Sequence, residues 1–154
     1  MKYILTSILF FSSFSSLAGW VYDKSETSYY DTTAYFAYLE ADNKSLPRID
    51  IRAFSYKNDS LMGLSLAIKG DIGCDIGSIC HGFVQFDNNA KQKLTFDILS
   101  ENGNIIGEIY NDYSFIKKFL NAKKVTIFIP VNSQKMISYD YIPDKIKWDI
   151  VHFP

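Results

Sequence analysis

The chain has 154 residues, with 16 basic and 17 acidic side chains and a net charge of −1. This near-neutral balance argues against nucleic acid and anionic membrane surfaces as partners, because both favour a strongly basic face. The length fits a single domain, and the sequence contains no repeat with a period of about 20 to 50 residues.

The N-terminal segment has the order of a secretory signal peptide. A positive start precedes an apolar core at residues 3–11, and Ser16 and Ala18 put small residues at the two positions that a signal peptidase must accommodate. We expect cleavage after Ala18, which separates a signal peptide (1–18) from one secreted or periplasmic β-rich domain (19–154). The apolar run is too short for a membrane anchor, which needs about 20 residues, and Gly19, not a lipid-carrying cysteine, stands directly after the expected cleavage site.

The remaining sequence predicts about eight short strands separated by turn residues. Residues 20–31 are polar and are interpreted as a lead-in to the first strand. The clearest half-buried strand is RIDIRAF, in which Ile49, Ile51 and Ala53 alternate with charged residues. The predicted strands, the seventh of which is ended by Pro130, cover residues 33–41, 48–54, 61–68, 81–87, 93–99, 105–110, 125–129 and 136–142.

A hairpin and a helix complete the predicted fold. Asn102-Gly103 is a tight hairpin signal between the fifth and sixth strands. Apolar residues then recur with a helical period, which predicts one α-helix over residues 112–123 with Asp112 as its N-cap. A short helical turn is expected after Pro143. The fold class is therefore mainly β: an antiparallel β-sandwich or a curled sheet of about eight strands, with the helix at one end or edge.

Two cysteines, Cys74 and Cys80, predict a disulfide, because an even number in an exported chain is typical of disulfide pairing. Gly73 and Gly77 permit the tight reversal that brings the two Cα atoms together. Closing this short loop contributes about 2.4 kcal/mol on the chain-entropy model. A metal site needs about four ligands, and His81 could supply only a third. We therefore predict no metal and no cofactor.

Tyrosines near the start of the mature chain lie in a polar setting. The strands themselves account for most of the aromatic residues, which pack well on a pleated surface. Tyr22, Tyr29, Tyr30 and Tyr35 are the exception, because Asp, Ser and Thr residues surround them and exposed rings are expected there. With His81 beside the disulfide loop, they are the predicted contacts to a protein partner.

Two segments of the sequence resemble small exported bacterial proteins. The first is the paired-cysteine loop that runs from Cys74 through Cys80-His-Gly-Phe-Val-Gln-Phe-Asp87, and the second is the helix at 114–122 followed by the strand at 125–129. Their order is similar to that of periplasmic β-sandwich proteins associated with type VI secretion. The resemblance covers the C-terminal half and implies an accessory, partner-binding protein and not an enzyme. Gln85 stands where these proteins have a basic residue, and no functional residue is carried over.

Catalytic motifs do not stand out in the sequence. His81 and His152 are far apart along the chain, and no serine has the G-x-S-x-G context of a nucleophile elbow. Asp87 and Asp97 are nominal carboxylates for a glycosidase, although Asp87 also begins a D-N-N turn. A non-enzyme is favoured.

The first hypothesis is therefore an exported module that binds a protein partner, with a secretion-accessory and a toxin-neutralising role as the two roles considered. A small hydrolase of envelope polysaccharide or peptide is the second, and it requires two carboxylates that converge in a cleft. A carrier of a small apolar ligand is the third, and it requires an apolar cavity inside the β-structure.

Overall fold

The protein folds as one curled antiparallel sheet. A computed structural model describes residues 19–27, 32–56, 63–101, 103–110, 113–132, 135–143 and 146. In these residues, nine strands form a half-barrel in the order β1-β2-β3-β4-β7-β6-β5-β8-β9, with a single short helix. The predicted mainly β fold with one helix is confirmed, and the curled sheet is the observed form.

Eight of the strands were predicted, and the ninth was not. The strand β1 occupies Val21–Thr27, where the sequence predicted a polar lead-in, and that prediction was wrong. Because β1 is an edge strand, it pairs only with β2 and its outward side chains at Val21 and Asp23 remain exposed. The strands are β1 (Val21–Thr27), β2 (Thr32–Leu39), β3 (Arg48–Tyr56), β4 (Gly63–Lys69), β5 (Ile79–Phe86), β6 (Gln92–Glu101), β7 (Asn104–Ile109), β8 (Val125–Asn132) and β9 (Lys135–Tyr141).

Alternating residues of the strands point into the half-barrel and form its core. In β3, Ile49, Ile51 and Ala53 are fully buried, as their alternation predicts. The register continues this inner face across the sheet, since Ile51 lies opposite Leu66 and Leu66 lies opposite Gly107. The largest fully buried side chains are Tyr139, Tyr141, Phe96 and Phe119.

The helix α1 occupies Tyr113–Asn121, which confirms the predicted helix with slightly shorter ends. The predicted N-cap, Asp112, lies outside the described residues. Ile116 and Phe119 are buried in the core, and the ring of Phe115 packs edge-on against Phe86 at a centroid distance of 5.6 Å. The helix therefore contributes one apolar face to the core and leaves its opposite face exposed.

Two connections differ in how well the sequence predicted them. The Asn102-Gly103 hairpin is confirmed, because β6 and β7 pair up to Glu101 and Asn104 and Gly103 has a φ of 79°. Pro130 was expected to end the seventh predicted strand, but β8 continues through it to Asn132 with an irregular register there. The turn expected after Pro143 falls on residues that are mostly outside the described part.

The loop between β2 and β3 bridges the curled sheet to its far edge. The backbone amide of Asp42 donates to the carbonyl of Asp140 in β9 at 2.7 Å. The Asn43 side chain donates to the Ser138 carbonyl at 2.7 Å and accepts from the Asp140 amide at 2.8 Å. This loop thus covers part of the β9 edge.

Candidate functional site

The disulfide holds a loop against two strands. Cys74 and Cys80 are paired, with Cα atoms 5.9 Å apart, which confirms the predicted pair. On one side of the loop, the Gly73 amide donates to the Pro130 carbonyl in β8 at 2.9 Å. On the other side, the Gly77 amide donates to the Ile98 carbonyl in β6 at 2.6 Å. The loop is thereby fixed at the start of β5, and β5 leaves it with a defined outward face.

Several apolar side chains lie on that outward face, where they do not pack into the core. Along β5, Cys80, Val84 and Phe86 point into the core, so Ile79 and Phe83 point outwards. They are 59% and 42% exposed, while Leu99 on β6 is 41% exposed and Tyr110 after β7 is 58% exposed. We call this surface the β5–β6 outer face, and it consists of Ile79, His81, Phe83, Thr95, Asp97, Leu99 and Tyr110.

The strand register places these residues side by side. Ile79 lies opposite Asp97, and His81 lies opposite Thr95. Directly opposed side chains are about 5 Å apart, and diagonal neighbours such as Ile79 and Leu99 are about 7 to 8 Å apart. Single exposed apolar residues are ordinary on protein surfaces, whereas a contiguous group rimmed by polar residues is typical of interaction sites.

Polar contacts join two pairs of side chains on this face. The Tyr110 hydroxyl donates to the Asp97 carboxylate at 2.5 Å. This hydrogen bond, together with some desolvation and the charges of Asp97 and Glu108, raises the pKa of Tyr110. The His81 Nδ1 atom lies 3.4 Å from the Thr95 hydroxyl. The face therefore combines exposed apolar groups with oriented hydrogen-bonding groups.

The tyrosines predicted as partner contacts do not join His81 in one surface. Tyr35 is only 9% exposed and belongs to the core, so the expectation of an exposed ring was wrong at this position. The ring is buried because it lies on the inward side of β2, with Ala37 and Leu39. Tyr22 is exposed, but five strands separate β1 from β5. It also lies opposite Ala37, on the inner side of the sheet. The other two, Tyr29 and Tyr30, lie outside the described residues.

Sequence reasoning missed the apolar part of the β5–β6 outer face. The segment HGFVQFD has Phe83, Val84 and Phe86 almost in succession, so alternation alone does not tell which ring faces outwards. The sidedness of Cys80 was the available signal, because a cysteine in a disulfide is among the most buried residue types. Counting in steps of two from Cys80 places Phe83 outside.

The carboxylates named for a hydrolase do not form a pair. Asp97 lies opposite Ile79 at one end of β5, whereas Asp87 follows the other end of that strand. A strand rise of about 3.3 Å per residue over the eight residues from Ile79 to Asp87 puts them about 26 Å apart, well beyond the roughly 10 Å upper limit of glycosidase pairs. Asp87 instead accepts the backbone amides of Lys123 and Lys124 at 2.8 and 3.0 Å.

A second pair of carboxylates lines a small cleft beside the β2–β3 loop. The cleft has a volume of about 220 Å³ and its lining includes Glu40, Arg48 and Asp50. Arg48 donates to Glu40 at 2.5 Å and to the largely buried Asp50 at 3.1 Å, and Asp50 contributes most to raising the Arg48 pKa. Because the guanidinium bridges the two acids, it occupies the gap that a sugar and a water molecule would need.

The described part of the chain contains neither a group of metal-ligating side chains nor a membrane-spanning helix. Among these residues, no three His, Cys, Asp or Glu side chains are grouped as metal ligands would be. None of the helices described there is both long enough and apolar enough to span a bilayer.

The comparisons with known proteins give no relative. No protein-family model matches the chain, and neither a curated protein nor a solved structure is significantly similar to it.

Proposed function

We propose that the chain is an exported binding module that recognises a protein partner through the β5–β6 outer face. The observation that carries this proposal is the exposure of the diagonal neighbours Ile79 and Leu99, with Phe83 farther along the same side of β5, on strands whose opposite side is filled core. Apolar and aromatic anchors of this kind, surrounded by polar groups, supply most of the binding energy in protein interfaces.

Two further features support the proposal. The disulfide stiffens the loop that leads into β5, which keeps the face pre-organised and lowers the entropic cost of binding. A disulfide is also compatible with export, as the predicted signal peptide requires. The resemblance to periplasmic proteins associated with type VI secretion points to the same accessory role.

The two alternatives receive less support from the described geometry. A hydrolase needs two free carboxylates in a cleft, whereas Arg48 bridges Glu40 and Asp50, the two that line the cleft beside the β2–β3 loop. A carrier would need an apolar cavity, whereas bulky side chains such as Tyr139 and Phe96 are packed, fully buried, inside the half-barrel.

The test is capture of a partner with matched surface variants. The full-length chain is expressed for export, purified from the oxidising compartment, immobilised and exposed to an envelope extract of its own organism. One variant combines Ile79→Ser and Phe83→Ser on the β5–β6 outer face. The control combines Met136→Ser and Ile142→Ser, which are about equally exposed at 40% and 46% but lie on or beside β9.

We expect the wild-type protein and the control to retain the same protein, and the β5–β6 variant to bind it at least about tenfold more weakly. All three should unfold at similar temperatures, since only exposed side chains are changed. A partner retained equally by both variants, or no partner retained at all, contradicts the proposal.

A further inference from the structure

Lysines from two segments that are distant in sequence lie at one end of the molecule. The turn between β5 and β6 contacts the loop after α1, because the Asp87 amide donates to the Lys124 carbonyl at 2.8 Å and the Asp87 carboxylate accepts two amides in return. Within residues 87–93 and 117–124, six lysines stand against one aspartate. We call this surface the lysine end, and it consists of Lys91, Lys93, Lys117, Lys118, Lys123 and Lys124.

Structural roles account for only some of these charges. Lys124 forms an ion pair with Asp140 at 3.0 Å, and Lys118 lies in the last turn of α1, where a cation favours the helix dipole. The Lys91 ammonium lies 3.7 Å from the centroid of the Phe128 ring. Lys93, Lys117 and Lys123 are exposed and form no ion pair within the described part.

The net charge of the whole chain does not reveal this local concentration of positive charge. The opposite end of the sheet is acidic, with Asp71 and Asp75 in the disulfide loop region and Asp97 and Glu108 on the neighbouring strands. Like charges brought within a Debye length of about 8 to 10 Å add their fields at that surface. An overall charge of −1 therefore does not exclude a strongly positive surface at one end.

We propose that the lysine end docks the protein on an anionic phospholipid surface. Lysine is depleted in protein–protein interfaces, where arginine and aromatic anchors dominate. Both arginines described here lie in β3, away from these lysines. A group of flexible point charges instead fits the diffuse field of anionic headgroups, in the manner of polybasic membrane-binding segments.

The binding is peripheral, because the apolar face of α1 is already used. Ile116 and Phe119 are buried in the core, so the helix offers the bilayer only its face with Lys117 and Lys118. Attraction without insertion is weakened by salt, since the Debye length falls from about 10 Å at about 0.1 M to about 3 Å at about 1 M. Because Lys93 lies opposite Phe83, the lysine end adjoins the β5–β6 outer face, and docking through it leaves the part of that face around Ile79 and Leu99 accessible.

The experiment is co-sedimentation of the exported protein with vesicles. One set contains phosphatidylcholine alone, and the other contains phosphatidylcholine and phosphatidylglycerol. The test variant combines Lys117→Glu, Lys118→Glu and Lys123→Glu. The control combines Lys44→Glu, Lys69→Glu and Lys135→Glu, which change the net charge equally at exposed positions elsewhere.

We expect the wild-type protein to bind only the anionic vesicles and to be released at high salt. The test variant should partition roughly 100-fold less, and the control less than about threefold less. Absence of binding to anionic vesicles overturns the proposal, as does an equal loss in the control. Lysine-dependent binding to soluble polyglutamate without vesicle binding would instead assign the lysine end to an acidic protein.

Discussion

At the scale of single residues, two buried tyrosines of β9 bind neighbouring backbone through hydrogen bonds of their hydroxyl groups. The Tyr139 and Tyr141 rings are fully buried, and their hydroxyls donate to the carbonyls of Pro47 at 2.7 Å and Ile49 at 2.9 Å. Burial raises the pKa of Tyr141 well above its usual value, and the charges of Asp50 and Asp140 act in the same direction. The phenol therefore stays protonated in the folded protein.

We predict that Tyr141→Phe changes the alkaline limit of stability. The unfolded chain loses the phenolic proton near pH 10, whereas the folded chain keeps it. The contribution of the Tyr141 phenol to the free energy of unfolding is thus complete below about pH 10. Above that pH it declines by up to about 1.4 kcal/mol per pH unit. Tyr141→Phe should cost about 1 to 2 kcal/mol at neutral pH, through the lost hydrogen bond, and should flatten the alkaline decline.

The measurement is urea unfolding between neutral pH and about pH 11. Tyr22→Phe, which removes a hydroxyl from an exposed ring, is the control and should keep the alkaline decline of the wild-type protein. A Tyr141→Phe variant that declines as steeply as the wild-type protein contradicts the assignment to this tyrosine.

At the scale of elements, the sequence predicts the strands and the helix in which apolar residues recur with a clear period. The alternation in β3 and the helical period of α1 each select one structure, and both elements lie where predicted. The strand β1 was missed because an edge strand needs no alternation of apolar residues, and VYDKSET has none. The burial of Tyr35 depends on which side of β2 turns inwards, which only the assembled register fixes, whereas the disulfide at Cys80 was a signal that could have placed Phe83 outside.

We predict that Asp87 stabilises the junction between the β5–β6 turn and the loop after α1 through its hydrogen bonds more than through its negative charge. It has a φ of 50°, which Asn and Asp tolerate better than other non-glycine residues, and its oxygen accepts two amides of the loop after α1. Asp87→Ala should lower the free energy of unfolding by about 2 kcal/mol, through both losses. Asp87→Asn keeps an acceptor oxygen and the backbone preference, and should lose less than about 1 kcal/mol.

Urea unfolding of the two variants separates these contributions. Equal losses for Asp87→Ala and Asp87→Asn would show that the negative charge, and not the hydrogen-bond geometry, stabilises this junction. That result contradicts the prediction.

At the scale of the whole molecule, an open curled sheet has two edges at which other chains could pair. At the β9 edge, the loop between β2 and β3 takes the place of a neighbouring strand. Asp42 and Asn43 bond the outward backbone groups of Ser138 and Asp140. Tyr139 and Tyr141 cross the interior to Pro47 at the end of this loop and to Ile49 in β3. The same segment carries Glu40, whose carboxylate pairs with Arg48. One short loop thereby covers part of an edge and fixes the curvature.

We predict that Asn43→Ala weakens this closure and exposes the β9 edge. Two hydrogen bonds to β9 are lost, which should lower the free energy of unfolding by about 1 to 2 kcal/mol. The uncovered backbone groups of Ser138 and Asp140 then favour pairing between molecules, so self-association should rise with protein concentration. Sedimentation velocity and urea unfolding measure the two effects.

Asn89→Ala, at an exposed position in the β5–β6 turn, is the control and should change neither the stability nor the self-association. An Asn43→Ala protein that is as stable and as monomeric as this control would mean that the asparagine does not protect the edge, and the backbone bond from Asp42 to Asp140 would then suffice to hold the half-barrel closed.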